Sequence, residues 1–348
     1  RTHSPHVHGR KRGESVRKAV LREPLRFELV DTDIPRIADD ELLVKVRYCG
    51  ICGSDLHAYA GKNQFSRFPY VPGHEFVGVV QDAGKNARFK AGQMVTVEPG
   101  IQCNRCLYCR RGDYQLCTNQ ASLDGAFADY AVTKAWKTFA VPSSVDAQTA
   151  TLIEPLACAL HAMDLAGMKK GWNVLVQGAG PIGQLLVRTA RALGAQSVAV
   201  TDLFESRLSL ARQGGASAPV RVTDGYTPGR LVEEIGADVI DVVFDTIAND
   251  FSMGCGVTVV KKGGTVVVVG VPATKVCFDL GKVMYNELRV VGDLMYRDNF
   301  PTAISMVSRK KIDTQGMISR VFALAEIGEA FRQIEEGKDR FMKCLVEP

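Results

Sequence analysis

Cys103, Cys106, Cys109 and Cys117 stand in the spacing C-x2-C-x2-C-x7-C, inside a short basic stretch from Gln102 to Thr118. Four thiolates this close together suit a tetrahedral zinc ion with no open position, a site that stabilises a lobe and does no chemistry. An iron–sulfur cluster is one rival, but its bacterial run ends in C-x3-C-P, and here the last gap is seven residues with no proline. Disulfides are the other, and they need an oxidising compartment to which nothing in the chain points.

A second chemical unit is Gly178-Ala-Gly180-Pro181-Ile182-Gly183, a G-x-G-x-x-G run. It follows the strand-like Val174–Gln177 and opens a helical pattern, which is the context a dinucleotide-binding turn requires. Gly178 allows the tight turn, Gly180 lets the backbone approach a pyrophosphate, and Gly183 lets helix and strand pack closely. The helix start, at Pro181 and Ile182, offers free N–H groups to the anion. Asp202 ends the next strand, 19 residues past Gly183, where an acid would bond the adenosine ribose hydroxyls. A carboxylate there repels a 2′-phosphate, so NAD is expected. Arg207, close behind, is placed either to flank the adenine or to admit some NADP, so the preference for NAD is not absolute.

The elements around these units divide the chain. Arg17–Leu21, Glu41–Tyr48, Phe76–Val80 and Met94–Val97 are short strand-like runs separated by Gly and Pro, which reads as a β-rich domain. The pattern changes near Pro142–Asp146. A single helix is expected over Ala147–Leu165, then strands at Asn173–Gln177, Ser197–Thr201, Val239–Phe244, Thr265–Gly270 and Leu288–Gly292, with a helix over Ile182–Leu193. Fully apolar runs alternating with helices indicate a parallel sheet covered on both faces. Helices at Phe300–Ser308 and Glu326–Glu335 and a strand at Arg340–Val346 complete the chain. The fold class is α/β, with a β-rich catalytic domain over 16–157 and 295–348 and a doubly wound, Rossmann domain over 158–294.

Of 348 residues, 46% are apolar and 23% charged, the balance of a globular protein. The net charge of +5 is concentrated at one end: residues 1–18 hold six basic side chains and one acid, leaving 37 basic and 37 acidic residues in the rest. A neutral body excludes a nucleic-acid face. Residues 1–15 read as a disordered tail, an expression remnant or over-extended start rather than a functional arm. No apolar secretory core follows the basic start and no run reaches the ~20 apolar residues of a membrane span, so a cytoplasmic protein is expected.

Cys52-Gly-Ser54-Asp55-Leu-His57 and Gly73-His74-Glu75 are each weak signals alone, since a buried Cys or lone His is usually structural. Together with the four-cysteine lobe, Leu152-Ile-Glu154-Pro-Leu156 and Gly178–Gly183, they resemble the medium-chain zinc-dependent alcohol dehydrogenases, in the sorbitol (polyol) dehydrogenase branch. The resemblance runs from about Lys18 to the C-terminus. It implies a GroES-like catalytic domain and a second, catalytic zinc held by Cys52, His74 and a third residue from the Glu154 segment. Cys158, one helical turn on, is the rival for that third place, and Glu75 is an alternating ligand. Asp55 matches the acid that orients a ligand imidazole. The remaining Cys49, Cys158, Cys255, Cys277 and Cys344 read as small core residues, and His161 as structural.

In such a site zinc acts as a Lewis acid on the substrate alcohol, whose carbon gives hydride to C4 of NAD. The resemblance implies that Ser54 takes the hydroxyl proton and that His57 passes it on through the nicotinamide ribose. Gly270 and Val271 lie in a run, Val268–Val271, that resembles the family segment whose backbone holds the carboxamide. Tyr59, Phe68 and Tyr296 are expected in the substrate pocket. The polyol branch has Arg-Tyr where this chain has Met295-Tyr296, with Arg297 following, which leaves sorbitol itself open against a sugar derivative or cyclitol. Threonine dehydrogenases are the nearest alternative, and Ser54 and Glu154-Pro155 depart from their pattern. A non-enzymatic member would lose Cys52 or His74, and both are kept. Relatives imply a homodimer or homotetramer, with Leu288–Gly292 as candidate edge.

Overall fold

The computed structural model describes residues 15–62, 66–223, 225–236 and 239–348. Of the expected tail 1–15, residues 1–14 lie outside the described residues and Ser15 is a correction, since it opens the first strand, Ser15–Glu23, which pairs with Arg26–Asp33 as a hairpin.

The β-rich part is organised around Glu41–Gly50, whose alternating apolar residues are nearly all buried. It pairs antiparallel with Glu75–Ala83, with Tyr130–Lys134 and with Lys343–Glu347. The registers bring three chain segments to one corner. Gly50 faces Glu75 on one side and Leu345 on the other. Cys52 therefore leaves the central strand beside the point where His74 enters its neighbour, and Lys343 starts the third strand at the same place. Gly50 must lack a side chain: a Cβ there would lie 2.3 Å from Glu75 Oε2.

The second part is a six-stranded, all-parallel sheet. Its strands, in chain order, are Asn173–Gln177, Ser197–Asp202, Ala218–Arg221, Ile240–Asp245, Val260–Val268 and Arg289–Gly292. Numbered one to six they lie in the order 3-2-1-4-5-6, the doubly wound order whose reversal between strands one and four opens a crevice for a dinucleotide.

The structure changes several expected elements. The helix over 147–165 is two, Ala147–Ala150 and Ile153–Ala166, because Thr151 turns its hydroxyl onto the Gln148 carbonyl at 2.6 Å. The longer helix runs through residue 157, so a boundary there divides one continuous helix. It packs on Pro181–Ala192 and on Phe300–Ser308, joining the two parts. The strand expected at Thr265–Gly270 starts earlier and stops at Val268, freeing Val269 and Gly270 for the turn above the crevice. Cys277 is exposed and Cys158 half-buried, so neither is a closed-core residue as expected, whereas Cys49, Cys255 and Cys344 are buried.

Candidate active site

Cys52 caps the helix Gly53–Tyr59, and Asp55 Oδ2 accepts the Cys52 backbone N–H at 3.0 Å. That bond satisfies one free donor of the helix start and leaves the thiol to face the corner. The other Asp55 oxygen lies 3.6 Å from His74 Nδ1, which leaves His74 Nε2 for a ligand. Burial alone would lower the pKa of the His74 imidazole; the charges of Asp55 and Cys52 and their hydrogen bonds outweigh it and raise it well above the usual value.

Cys52, His74 and Glu75 offer ligand atoms that all lie within 4.8 Å of one another. The Glu154 carboxyl is buried in the first turn of its helix and is not in that triplet. Burial pushes its pKa up to about 7, against the pull of nearby His74 and with the push of Glu75. Tyr296 is fully buried beside it, its hydroxyl without a hydrogen-bond partner; burial, then the Glu154 charge, raises the phenol well above its usual range.

Sequence reasoning missed Lys343. It is 2% exposed, and its Nζ donates to Glu75 Oε1 at 2.7 Å and to the Ile51 carbonyl at 3.1 Å. The available signal was a lone lysine in the otherwise apolar run Phe341-Met-Lys-Cys-Leu-Val346. With Lys343 as its counter-ion, Glu75 needs no metal. Lys343→Met should destabilise the metal-free protein by about 3–5 kcal/mol, because it strands a buried carboxylate. Zinc should restore part of that loss by becoming the counter-charge of Glu75. Thermal unfolding with and without zinc checks this; a variant that zinc stabilises no more than the parent would show that the ion cannot take over the counter-charge of Glu75.

The structure scatters the other expected residues. Ser54 and His57 ride half-buried on the Cys52 helix, and His57 lines a cleft of about 210 Å³ with Pro181, Arg207 and Lys338. Phe68 packs 5.9 Å from Tyr70, whose phenol feels Asp55 and His74. Tyr59 is a correction. It stacks on Phe27 at 5.7 Å and packs against Phe331 at 5.1 Å, in the β-domain core, because its helix turns that face toward Ile327–Glu336. Arg297 does not replace the missing pocket arginine; its guanidinium reaches Asp113 in the cysteine lobe at 2.6 Å.

In the lobe the four sulfurs also lie within 4.8 Å of one another, with Cys106–Cys109 at 3.4 Å and Cys103–Cys109 at 4.0 Å. Tetrahedral zinc with Zn–S bonds of about 2.3 Å would set them roughly 3.8 Å apart, so the donors fit the ion. All ten cysteines are free, which removes the disulfide alternative.

In the cofactor part, Gly178 has φ +92° and would set a Cβ 2.3 Å from Thr246 Oγ1. A Cβ on Gly183 would meet the Gly178 carbonyl at 1.9 Å, while Gly180 has nothing nearer than Arg207 at 3.8 Å, leaving its backbone open to a ligand. Asp202 accepts N–H groups from Ala179 at 2.7 Å and Phe204 at 3.0 Å, with Arg207 at 3.9 Å. Gly270 packs against the Thr246 backbone, and Val271 is exposed beyond it.

A candidate metal corner, and a doubly wound sheet with a glycine turn at its reversal point, are the parts of a dinucleotide-dependent oxidoreductase. Residues 38–143 match the alcohol dehydrogenase GroES-like domain, and residues 181–309 match the zinc-binding dehydrogenase domain. The chain is 33% identical to D-xylulose reductase A of Aspergillus niger, over 94% of this chain and 95% of the relative. It is 29% identical to sorbitol dehydrogenase of Bacillus subtilis, over 96% and 98%. An Escherichia coli alcohol dehydrogenase (rspB), solved with NADH, superposes with TM-score 0.91 at 27% identity, over 97% of this chain and all of that one. The chain belongs to the medium-chain, zinc-type alcohol dehydrogenase family, and it is an oxidoreductase that uses zinc and a nicotinamide dinucleotide. Among the described residues no helix is long and apolar enough to cross a membrane.

Proposed function

We propose that the protein oxidises a secondary alcohol of a polyol or sugar-like substrate with NAD. The observation that carries this is the convergence of Cys52, His74, Glu75 and Glu154 at one corner, with the unpartnered hydroxyl of Tyr296 beside Glu154. Cys52, His74 and Glu154 would hold the catalytic zinc, since Lys343 is already hydrogen-bonded to Glu75. Cys103, Cys106, Cys109 and Cys117 would hold a second ion. When bound, the zinc at the corner supplies a Lewis acid that favours ionisation of the substrate hydroxyl, and NAD supplies the hydride acceptor.

The chain's own groups do the rest. Ser54 accepts the hydroxyl proton, and His57, at the cleft, delivers it to solvent. Gly178, Gly180 and the helix start at Pro181-Ile182-Gly183 cradle the pyrophosphate. Asp202 and Arg207 take the adenosine end, and Gly270 and Val271 the carboxamide. Met295 offers no donor and Arg297 points into the lobe, so Glu154 and Tyr296 are left to recognise substrate hydroxyls, with Phe68 as an apolar wall. The relatives named for sugar alcohols support this class. The same reading divides the chain into a catalytic part, 16–157 and 295–348, and a cofactor part, 158–294. It also implies a protein of the reducing cytoplasm and a homodimer or homotetramer with Leu288–Gly292 as its edge, where Val290 is exposed.

The zinc-loaded protein should raise absorbance at the NADH wavelength with at least one pentitol, hexitol or cyclitol. Silence across such a panel, from protein carrying zinc, would overturn the proposal.

A further inference from the structure

We infer that the four-cysteine lobe positions the proposed substrate pocket, by clasping the loop that carries Tyr296. The inference rests on the function proposed above only in assigning Tyr296 to the pocket. The loop links the last strand of the cofactor sheet, Arg289–Gly292, to the helix Phe300–Ser308. Two of its residues, Met295 at φ 58° and Asp298 at φ 57°, are left-handed without being glycine. L side chains resist that conformation, so it persists only where neighbours over-determine it.

The neighbours are lobe residues. Tyr114 accepts the Asp298 backbone N–H at 2.6 Å and lies 3.3 Å from its carboxylate. Asp113 accepts from Arg297 at 2.6 Å. The Gln120 amide donates to the Met295 sulfur at 3.6 Å. Of the turn Met295–Asp298, only Tyr296 is not held this way; its ring is buried on the other side, beside Glu154 and 5.0 Å from Phe300. The clasp is braced from below. The Tyr114 ring lies 4.3 Å from Lys137 Nζ, and Lys137 is paired with Glu98 in the interior. Asp113 and Tyr114 sit between Cys109 and Cys117, so the geometry of the thiol cluster sets where the clasp stands. A closed site with no chemistry of its own thereby fixes one wall of the chemical site. Arg297, next to Tyr296 in the chain, thus serves the lobe contact and not the pocket.

The test uses the full-length, zinc-loaded enzyme carrying Asp113→Asn and Tyr114→Phe together, two changes that keep size and shape. Hydrogen exchange of the peptide spanning 293–299 should speed up by about tenfold, as a locally opened segment does. KM for an oxidised polyol should rise about tenfold, the equivalent of one lost hydrogen bond to a charged group, with kcat within about twofold. NADH affinity and zinc content should not change. Unchanged exchange of 293–299 would overturn the inference whatever the kinetics, as would a loss of kcat with KM unaltered. Tyr296→Phe separates the two claims: an unchanged KM in that variant would take Tyr296 out of the pocket, while the exchange result would still decide the clasp.

Discussion

Cys52→Ala should abolish alcohol oxidation while leaving NADH binding intact. The thiol lies within 4.8 Å of the ligand atoms of His74 and Glu75 and is the soft donor of that triplet. In the function proposed above, ionisation of the substrate hydroxyl depends on the Lewis acid that this corner would hold. Losing several kcal/mol of that stabilisation lowers kcat by about a thousandfold or more. The fold should survive, because the Asp55 carboxylate still accepts the backbone N–H at position 52, which the substitution leaves in place. The proposed dinucleotide cradle, Gly178–Gly183 with Asp202, belongs to the other sheet, so NADH affinity should not move. Metal analysis, NADH fluorescence titration and turnover on one preparation decide the matter. The parent should hold two zinc ions per chain and the variant one. Activity that persisted with full zinc would show that Cys52 is not a ligand.

Cys106→Ser should empty the lobe and loosen the protein without touching the crevice. The lobe has almost no core of its own. Its helix Leu107–Arg110 has no buried residue, and its two strands, Gly100–Ile101 and Ala121–Ser122, are a single short pair. A segment this small needs a metal in place of an apolar core. The thiols already crowd one another: N–H groups of Cys109 and Thr118 lower Cys106 to about 6, while burial and the neighbouring thiols raise Cys109 to about 12. One thiolate thus suppresses the next until a dication neutralises them. Structural zinc is worth roughly 10–16 kcal/mol in isolated fingers. If only about 3 kcal/mol of that reaches the whole chain, Tm falls by roughly 4 °C. The variant should bind one zinc, melt early and be cut by protease within 100–122, with NADH affinity retained. A variant with unaltered Tm and zinc content would remove the structural role from the four cysteines. Because the lobe grips Met295, Arg297 and Asp298, KM should rise as well.

The local units were legible because their parts are close in sequence. The lobe spacing and the glycine turn each fall within twenty residues, so residue type and spacing alone define the donors and the turn. The apolar strands of the cofactor sheet were visible for the same reason. Ala218–Arg221 was not, since four residues with a proline carry no periodicity. The helix Gly53–Tyr59, which carries Ser54, Asp55 and His57, was also unseen, because seven residues span only two turns. Tyr59 shows the opposite error. Proximity to Cys52 in sequence suggested the pocket, but a helix points successive residues to different faces, and its ring went into the core.

The sequence by itself determined which donors exist and what chemistry they suit: thiols for a closed site, a Cys and a His for an open one, glycines for an anion. Only the tertiary structure decided how the acids and bases of the open site are shared. Strand register set Gly50 against both Glu75 and Leu345, and so delivered Lys343 to Glu75 across 268 residues of chain. It likewise turned Arg297 to Asp113 and left Tyr296 with Glu154. Such pairings follow from distances between remote segments, which packing fixes and no local spacing encodes.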